Sequence, residues 1–210
     1  MLHIVNALNA SAYRSEMEAA LRLRHRVFVE EKRWTELDRG DGLELDQFDN
    51  ADAVHMLDID SSGAVLGYQR MLPTTMPHLL SEVMPFLCDG PRPMGPHIWE
   101  WTRYAVDKDH RDRGRILSPV GLALLTGIVE WGLDTGVNTI IIQMNPLWLL
   151  RLVQMRFKTT PLGFPQELSG EATIAITAEF NQATLAYLRE LRGSDESVFF
   201  KDESRVKRTA

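Results

Sequence analysis

A guanidinium set in an apolar helical stripe constrains this chain more than any other feature. Residues 12 to about 30, around ALRLRHRVFVEEKRW, predict a helix. At 100° per residue, Tyr13, Met17, Ala20, Leu21, Val27 and Phe28 fall within roughly 60° of one line, and Arg24 lies on that line. An always-charged side chain buried there without a partner costs several kcal/mol or more. The fold must bring a carboxylate to Arg24, from elsewhere in the chain or from a ligand, or let the side chain run out to the helix edge.

Composition narrows the setting. A chain of 210 residues suits one domain with a sizeable core. The single cysteine, Cys88, excludes an intrachain disulfide and reads as a small buried hydrophobe rather than a nucleophile. A net charge of −6 argues against a nucleic-acid partner and mildly against docking an acidic carrier protein. No apolar run approaches the roughly 20 residues of a membrane span, so no membrane role is expected. The start MLHIVNALNA lacks the basic flank and long apolar core of a signal peptide, which makes the cytoplasm the expected compartment.

The elements follow from periodicity. Leu2–Asn6 predicts a strand before the helix, and Glu31–Asn50 a long irregular loop too rich in Trp, Leu and Phe to be a linker. Ala53–Asp60 and Ala64–Met71 read as a hairpin. Its second strand sends Val65, Gly67 and Gln69 to one face and Ala64, Leu66, Tyr68 and Arg70 to the other. A short helix at Leu79–Phe86 and a Gly/Pro loop at Cys88–Pro96 precede a strand at Ile98–Val106. Helices are expected at Leu117–Gly132, Pro146–Arg156 and Gln182–Leu191, and strands at Asn138–Met144 and Ala172–Glu179, with a turn or short strand at Pro161–Pro165. This order predicts a three-layer α/β/α sandwich around a central mixed sheet, antiparallel at the hairpin and parallel from residue 98 onward. Residues 1–193 form the expected single domain and 194–210 a charged tail.

Three groups could carry chemistry. Arg24, Phe28 and Trp34 form the first, and Asp46, Asp49 and Arg70 the second. Glu100 and Arg103, flanked by Trp99, Trp101 and Tyr104, form the third. Two close carboxylates need cations beside them, so Asp46 and Asp49 pair with Arg24 and Arg70, or else belong to a solvated acidic loop. Tryptophans on both sides of Glu100 desolvate it and push it toward general-base range. An ideal strand points Glu100 and Arg103 to opposite faces, so a shared site requires a bulge. Arg111, Arg113 and Arg115, before a helix start, suit phosphates or a solvated turn. No metal-ligand set, serine-hydrolase motif or dinucleotide glycine pattern occurs.

In this order and spacing the residues resemble the acyl-homoserine-lactone synthases, the LuxI-type autoinducer synthases. The resemblance lies in Arg24, Phe28 and Trp34, in Asp46 and Asp49, in Arg70 of RMLPTT, and in Glu100-Trp101-Thr102-Arg103-Tyr104, and it covers about residues 2–190. It implies a fold similar to the GCN5-related acetyltransferases and two substrates, S-adenosylmethionine and an acyl thioester, with no cofactor. The S-adenosylmethionine amine attacks the thioester, and the methionine carboxylate then closes the lactone and releases methylthioadenosine. It implies Glu100, Arg103 and Arg70 as catalytic and Arg24, Phe28, Trp34, Asp46 and Asp49 as binding S-adenosylmethionine. Trp99, Trp101, Tyr104, Met144 and Trp148 then line the acyl pocket.

The charge and the tryptophans resemble the subgroup that takes branched-chain or aryl groups from coenzyme A. Members of that subgroup carry two adjacent tryptophans where this chain has Leu147 and Trp148, which leaves the acyl group open. An acyl-carrier-protein donor with a linear chain, an N-acyltransferase with another amine acceptor, and a non-catalytic ligand-binding regulator are the alternatives. The oligomeric state is not legible.

Overall fold

The computed structural model describes residues 1–112 and 117–200. Eight strands are present among them: β1 (Leu2–Val5), β2 (Val54–Ile59), β3 (Val65–Pro73), β4 (Ile98–Val106), β5 (Thr139–Met144), β6 (Lys158–Pro161), β7 (Gln166–Leu168) and β8 (Glu171–Glu179). The sheet order is β1-β2-β3-β4-β5-β8-β6, with β7 paired to β8. Helix α1 (Arg14–Arg24) and the short α2 (Leu79–Glu82) lie on one face; α3 (Pro119–Thr135), α4 (Leu149–Gln154) and α5 (Gln182–Arg192) lie on the other. The expected three layers are present.

The expected run of parallel neighbours is corrected. Among the eight described strands β4 and β5 alone pair in parallel; the other strand pairs are antiparallel. The crossover from β5 through α4 does reach a strand of the same direction, but that strand is β6 at the sheet edge. The chain then returns through Ser169 and Gly170, both at positive φ, and β8 slots between β5 and β6. β6 and β7 escaped the periodicity because they are short, polar and exposed.

The first helix also differs. It starts at Arg14 and widens at His25–Glu31 into a π-helical turn, with Lys32 N–H donating to the Val27 carbonyl at 3.1 Å. Within the widening three consecutive residues, Val27, Phe28 and Val29, are buried, the first two against the sheet. Leu23, off the predicted line, is buried, whereas Met17 and Leu21 are half-buried. In β3 a register shift displaces the expected alternation. Val65 packs on the α1 side and Leu66 on the α3 side, and regular alternation resumes at Gly67. Cys88 is half-buried rather than buried.

The main core lies between the sheet and α3–α5. Leu125, Ile128 and Val129 of α3 pack on Met56, Met71, Ile140, Ile142 and Ile176. Ser118 caps the start of α3, its Oγ accepting from Gly121 N–H at 3.0 Å, and Gly136 ends it at φ 80°. Residues 197–200 run beside β1, where Leu2 N–H donates to the Val198 carbonyl and Phe200 N–H to the Leu2 carbonyl.

Candidate active site

Strand β4 makes the site by breaking its own alternation. Tyr68 pairs with Ala105 and Arg70 with Thr102, so Gln69 alone faces two residues, Arg103 and Tyr104. Arg103 stands at φ 56°, the left-handed region an L side chain rarely adopts. This is the bulge that a shared site required. Glu100, Thr102 and Arg103 all reach the α1–α2 side, while Trp99, Trp101 and Tyr104 lie toward α3.

On the first side three guanidiniums interlock with three carboxylates. Arg24, at 0% exposure, donates from Nε to Glu44 at 2.6 Å, from Nη1 and Nη2 to Asp49 at 2.7 and 2.9 Å, and from Nη1 to the Tyr68 hydroxyl at 3.2 Å. Arg70, also buried, holds Asp46 at 2.6 and 3.0 Å, Asp49 at 2.8 Å and the Thr102 hydroxyl at 3.1 Å. Arg103 donates from Nε to Glu44 and from Nη2 to Asp46 at 2.7 Å. The loop closes on itself, Asp46 N–H donating to Asp49 and Phe48 N–H to Asp46.

Burial works to raise Asp49, but the bonds and charges of Arg24 and Arg70 outweigh it and hold the group well below the usual carboxylate range. Asp46 is lowered in the same way, burial being overcome by Arg70 and Arg103. Beneath them, burial lowers His55 to about 4, so it stays neutral and its Nδ1 meets the Tyr68 hydroxyl at 2.7 Å. Burial raises Tyr68 to about 12, so its hydroxyl keeps its proton.

Solvent reaches this cluster unevenly. Side-chain exposure is 0% for Arg24, 0% for Arg70 and 1% for Glu44, against 15% for Asp46 and 7% for Arg103. The inner pairs are satisfied by one another; Asp46 and Arg103 are the members of the cluster nearest solvent. Phe28 stacks on Trp34 with ring centres 5.3 Å apart and planes 13° apart. The Arg103 guanidinium lies 5.6 Å over Phe28, and the Lys32 ammonium 5.3 Å over Trp34.

Glu100, at 0% exposure, sits against the start of α2. Oε2 accepts from Leu79 N–H at 2.7 Å, and Oε1 from Leu80 N–H at 2.7 Å and from Gln143 Nε2 at 2.8 Å. Burial raises its pKa, opposed by His78 and by these donors. Oε2 thus keeps an acceptor position open.

The α3 side is apolar. β4 pairs with β5 only from Ile98–Thr139 to Trp101–Ile142, and the strands then part. Trp101 and Tyr104 stand at this parting, edge to face at 5.5 Å. Met144 packs nearby against the main core, as does Trp99, which lies edge-on to Trp131 at 4.9 Å. Trp148 is farther out: it carries the Arg151 guanidinium 4.6 Å over its ring and shares a surface hollow with Leu147. Arg111 is tied to Glu31 and to the Val106 carbonyl; Arg113 and Arg115 lie outside the described residues.

Sequence reasoning missed Glu44, Tyr68, His55 and Gln143. Glu44 had a signal. Three arginines among apolar residues, against Asp46 and Asp49, leave one charge unmatched, and LELD offers Glu44 beside them. Among the described residues, no group of three His, Cys, Asp or Glu could hold a metal ion.

Residues 9–185 match the family model for autoinducer synthase. The chain is 37% identical to an isovaleryl-homoserine lactone synthase of Bradyrhizobium diazoefficiens, over 94% of this chain and 88% of the other. It superposes with a TM-score of 0.89 on the structure of a CoA-dependent acyl-homoserine lactone synthase with SAM and isopentyl-CoA, at 36% identity, covering 96% of this chain and 93% of that one. An acyl-CoA N-acyltransferase from Pseudomonas aeruginosa shares the fold alone, with a TM-score of 0.54 at 17% identity, covering 84% of this chain and 98% of that one.

Proposed function

This chain belongs to the autoinducer synthase family, and from that premise we propose that it makes an N-acyl-L-homoserine lactone from S-adenosylmethionine and an acyl-coenzyme A. The acyl group is branched-chain or aryl, in keeping with the isovaleryl-homoserine lactone synthase it is similar to. The observation that carries the reading is the bulge at Arg103. It sets a polar, ion-paired wall and an apolar, aromatic side on the two faces of one strand.

The division of labour follows from charge. The ammonium of S-adenosylmethionine suits the exposed edge of Asp46, and its carboxylate suits Arg103. The sulfonium suits the aromatic faces of Phe28 and Trp34. Arg24 and Asp49 act at one remove: they fix the loop that carries Asp46. The ammonium must lose a proton before attack, and Oε2 of Glu100, directly or through a water, accepts it. The amine then bonds to the thioester carbon, the C–S bond breaks, and the thiolate leaves and takes up a proton. The methionine carboxylate next displaces the sulfonium from its own γ-carbon, and methylthioadenosine departs with the C–S electron pair. This second step is largely a matter of holding the chain folded.

The test mixes the protein with S-adenosylmethionine and a panel of acyl-coenzyme A and acyl-carrier thioesters. Mass spectrometry should find a homoserine lactone and methylthioadenosine together, with the coenzyme A donors turned over faster. Acyl transfer without methylthioadenosine would instead point to another amine acceptor.

A further inference from the structure

Trp101 carries a hydrogen-bond donor with nothing to donate to. Its indole Nε1 is shut off from solvent and meets no acceptor among the described residues. An indole N–H is a donor only, and burying one unpaired is costly. Two other buried polar atoms share this state, Oε1 of Gln69 and Nε2 of His78. Each of those side chains is anchored by its other polar atom, Gln69 on the Leu124 carbonyl and His78 on the Met76 carbonyl, both at 2.9 Å. Trp101 has one polar atom, and it is unmet.

Its place says what would meet it. Trp101 is the last β4 residue paired with β5, opposite Ile142, and its ring packs with Tyr104 and the core on the α3 side. Arg103 and the carboxylates lie across the sheet. An amine held by the charged wall attacks a thioester carbonyl near that wall, so the part of the acyl donor that runs along the α3 side is the acyl chain itself.

Resting on the synthase reading, we infer that the acyl group carries an acceptor oxygen, as an oxo, hydroxyl or aryl-oxygen substituent, that takes the Trp101 Nε1 hydrogen bond. A purely hydrocarbon branched-chain or aryl group is then a poorer substrate than its oxygen-bearing counterpart, because it leaves the donor buried and unpaired.

The experiment uses coenzyme A thioesters in matched pairs that differ only in the oxygen: butyryl with 3-oxobutyryl and 3-hydroxybutyryl, and cinnamoyl with 4-hydroxycinnamoyl. kcat/KM is read from methylthioadenosine release. At least one oxygenated member should exceed its parent by about tenfold or more, and Trp101→Phe, which keeps the ring and removes the donor, should bring that ratio toward one. A wild-type ratio at or below one in every pair overturns the inference, with or without a folded variant. A variant that keeps the wild-type ratio also overturns it. Lactone formed without the preference defeats this inference alone; no lactone from any thioester defeats the synthase reading as well.

Discussion

Arg103 holds Glu44 from a left-handed backbone: at φ 56° its guanidinium swings across the sheet, and Nε reaches both carboxylate oxygens at 3.0 and 3.1 Å. The strain and the ion pair can be separated. Arg103→Ala and Arg103→Gly both delete the guanidinium, but only glycine adopts this φ freely. Both variants should lose most lactone synthesis. In urea titrations the glycine variant should be about 1 kcal/mol the more stable of the two. Equal stabilities would mean that the bulge relaxes once the arginine is gone.

Glu44, like Asp46 and Asp49, is shared by two arginines, so neutralising it is more costly than its single charge suggests. Glu44→Gln leaves Arg24 and Arg103 buried with less negative charge than they need. Removing one member of such a cluster costs about 3–5 kcal/mol. Glu18→Gln, which breaks an exposed pair with Arg22 on α1, should cost under about 1 kcal/mol. Chemical denaturation of the two variants side by side checks this; similar losses would show that the buried cluster readjusts.

How much was legible depended on whether a signal was local. The Ile, Trp, Tyr and Val content located the strand at Ile98–Val106 to the residue, because strand preferences act within a few residues. Arg24 called for a carboxylate, from the chain or a ligand, or for a path to the helix edge, because a charge in an apolar stripe has few solutions; the structure takes the first. Which carboxylate was a matter of tertiary placement, and Glu44 was passed over between its more conspicuous neighbours. The π turn after Arg24 and the insertion of β8 between β5 and β6 were illegible for a related reason. Both are set by what the sheet needs packed against it, and neither leaves a period in the sequence.

His55 makes stability depend on pH. Burial lowers its pKa from 6.5 to about 4 in the folded protein. Between those values the unfolded chain binds a proton that the folded chain refuses, so stability falls as pH drops from about 6.5 to about 4 and this contribution then levels off. A shift of this size corresponds to roughly 3 kcal/mol. Asp49 acts lower: its depressed pKa gives stability that is lost as pH falls below the ordinary aspartate range. Urea midpoints measured at pH 7 and 5 should therefore differ clearly in the wild type. The difference should shrink in His55→Gln, which keeps a polar group near the Tyr68 hydroxyl but cannot titrate. An undiminished difference would assign the dependence to other groups.

Glu100 is asked to do two things, and the pH profile distinguishes them. It anchors α2 through the Leu79 and Leu80 amides, and it is the proposed acceptor of the substrate proton. Glu100→Gln keeps one carbonyl oxygen, enough for one of those two amides, and cannot take a proton. Methylthioadenosine release should fall by about 10²–10⁴-fold, while S-adenosylmethionine binding, measured by calorimetry, should change far less because Asp46 and Arg103 are untouched. A purely structural role could lower the rate as well. Because burial raises Glu100, the acidic limb of the wild-type kcat/KM profile should lie above the ordinary carboxylate range, with the rate falling as pH drops and the group protonates. That limb should vanish from the residual activity of the Gln variant. A limb that persists at the same pH would leave Glu100 as the anchor of α2 and put the base elsewhere.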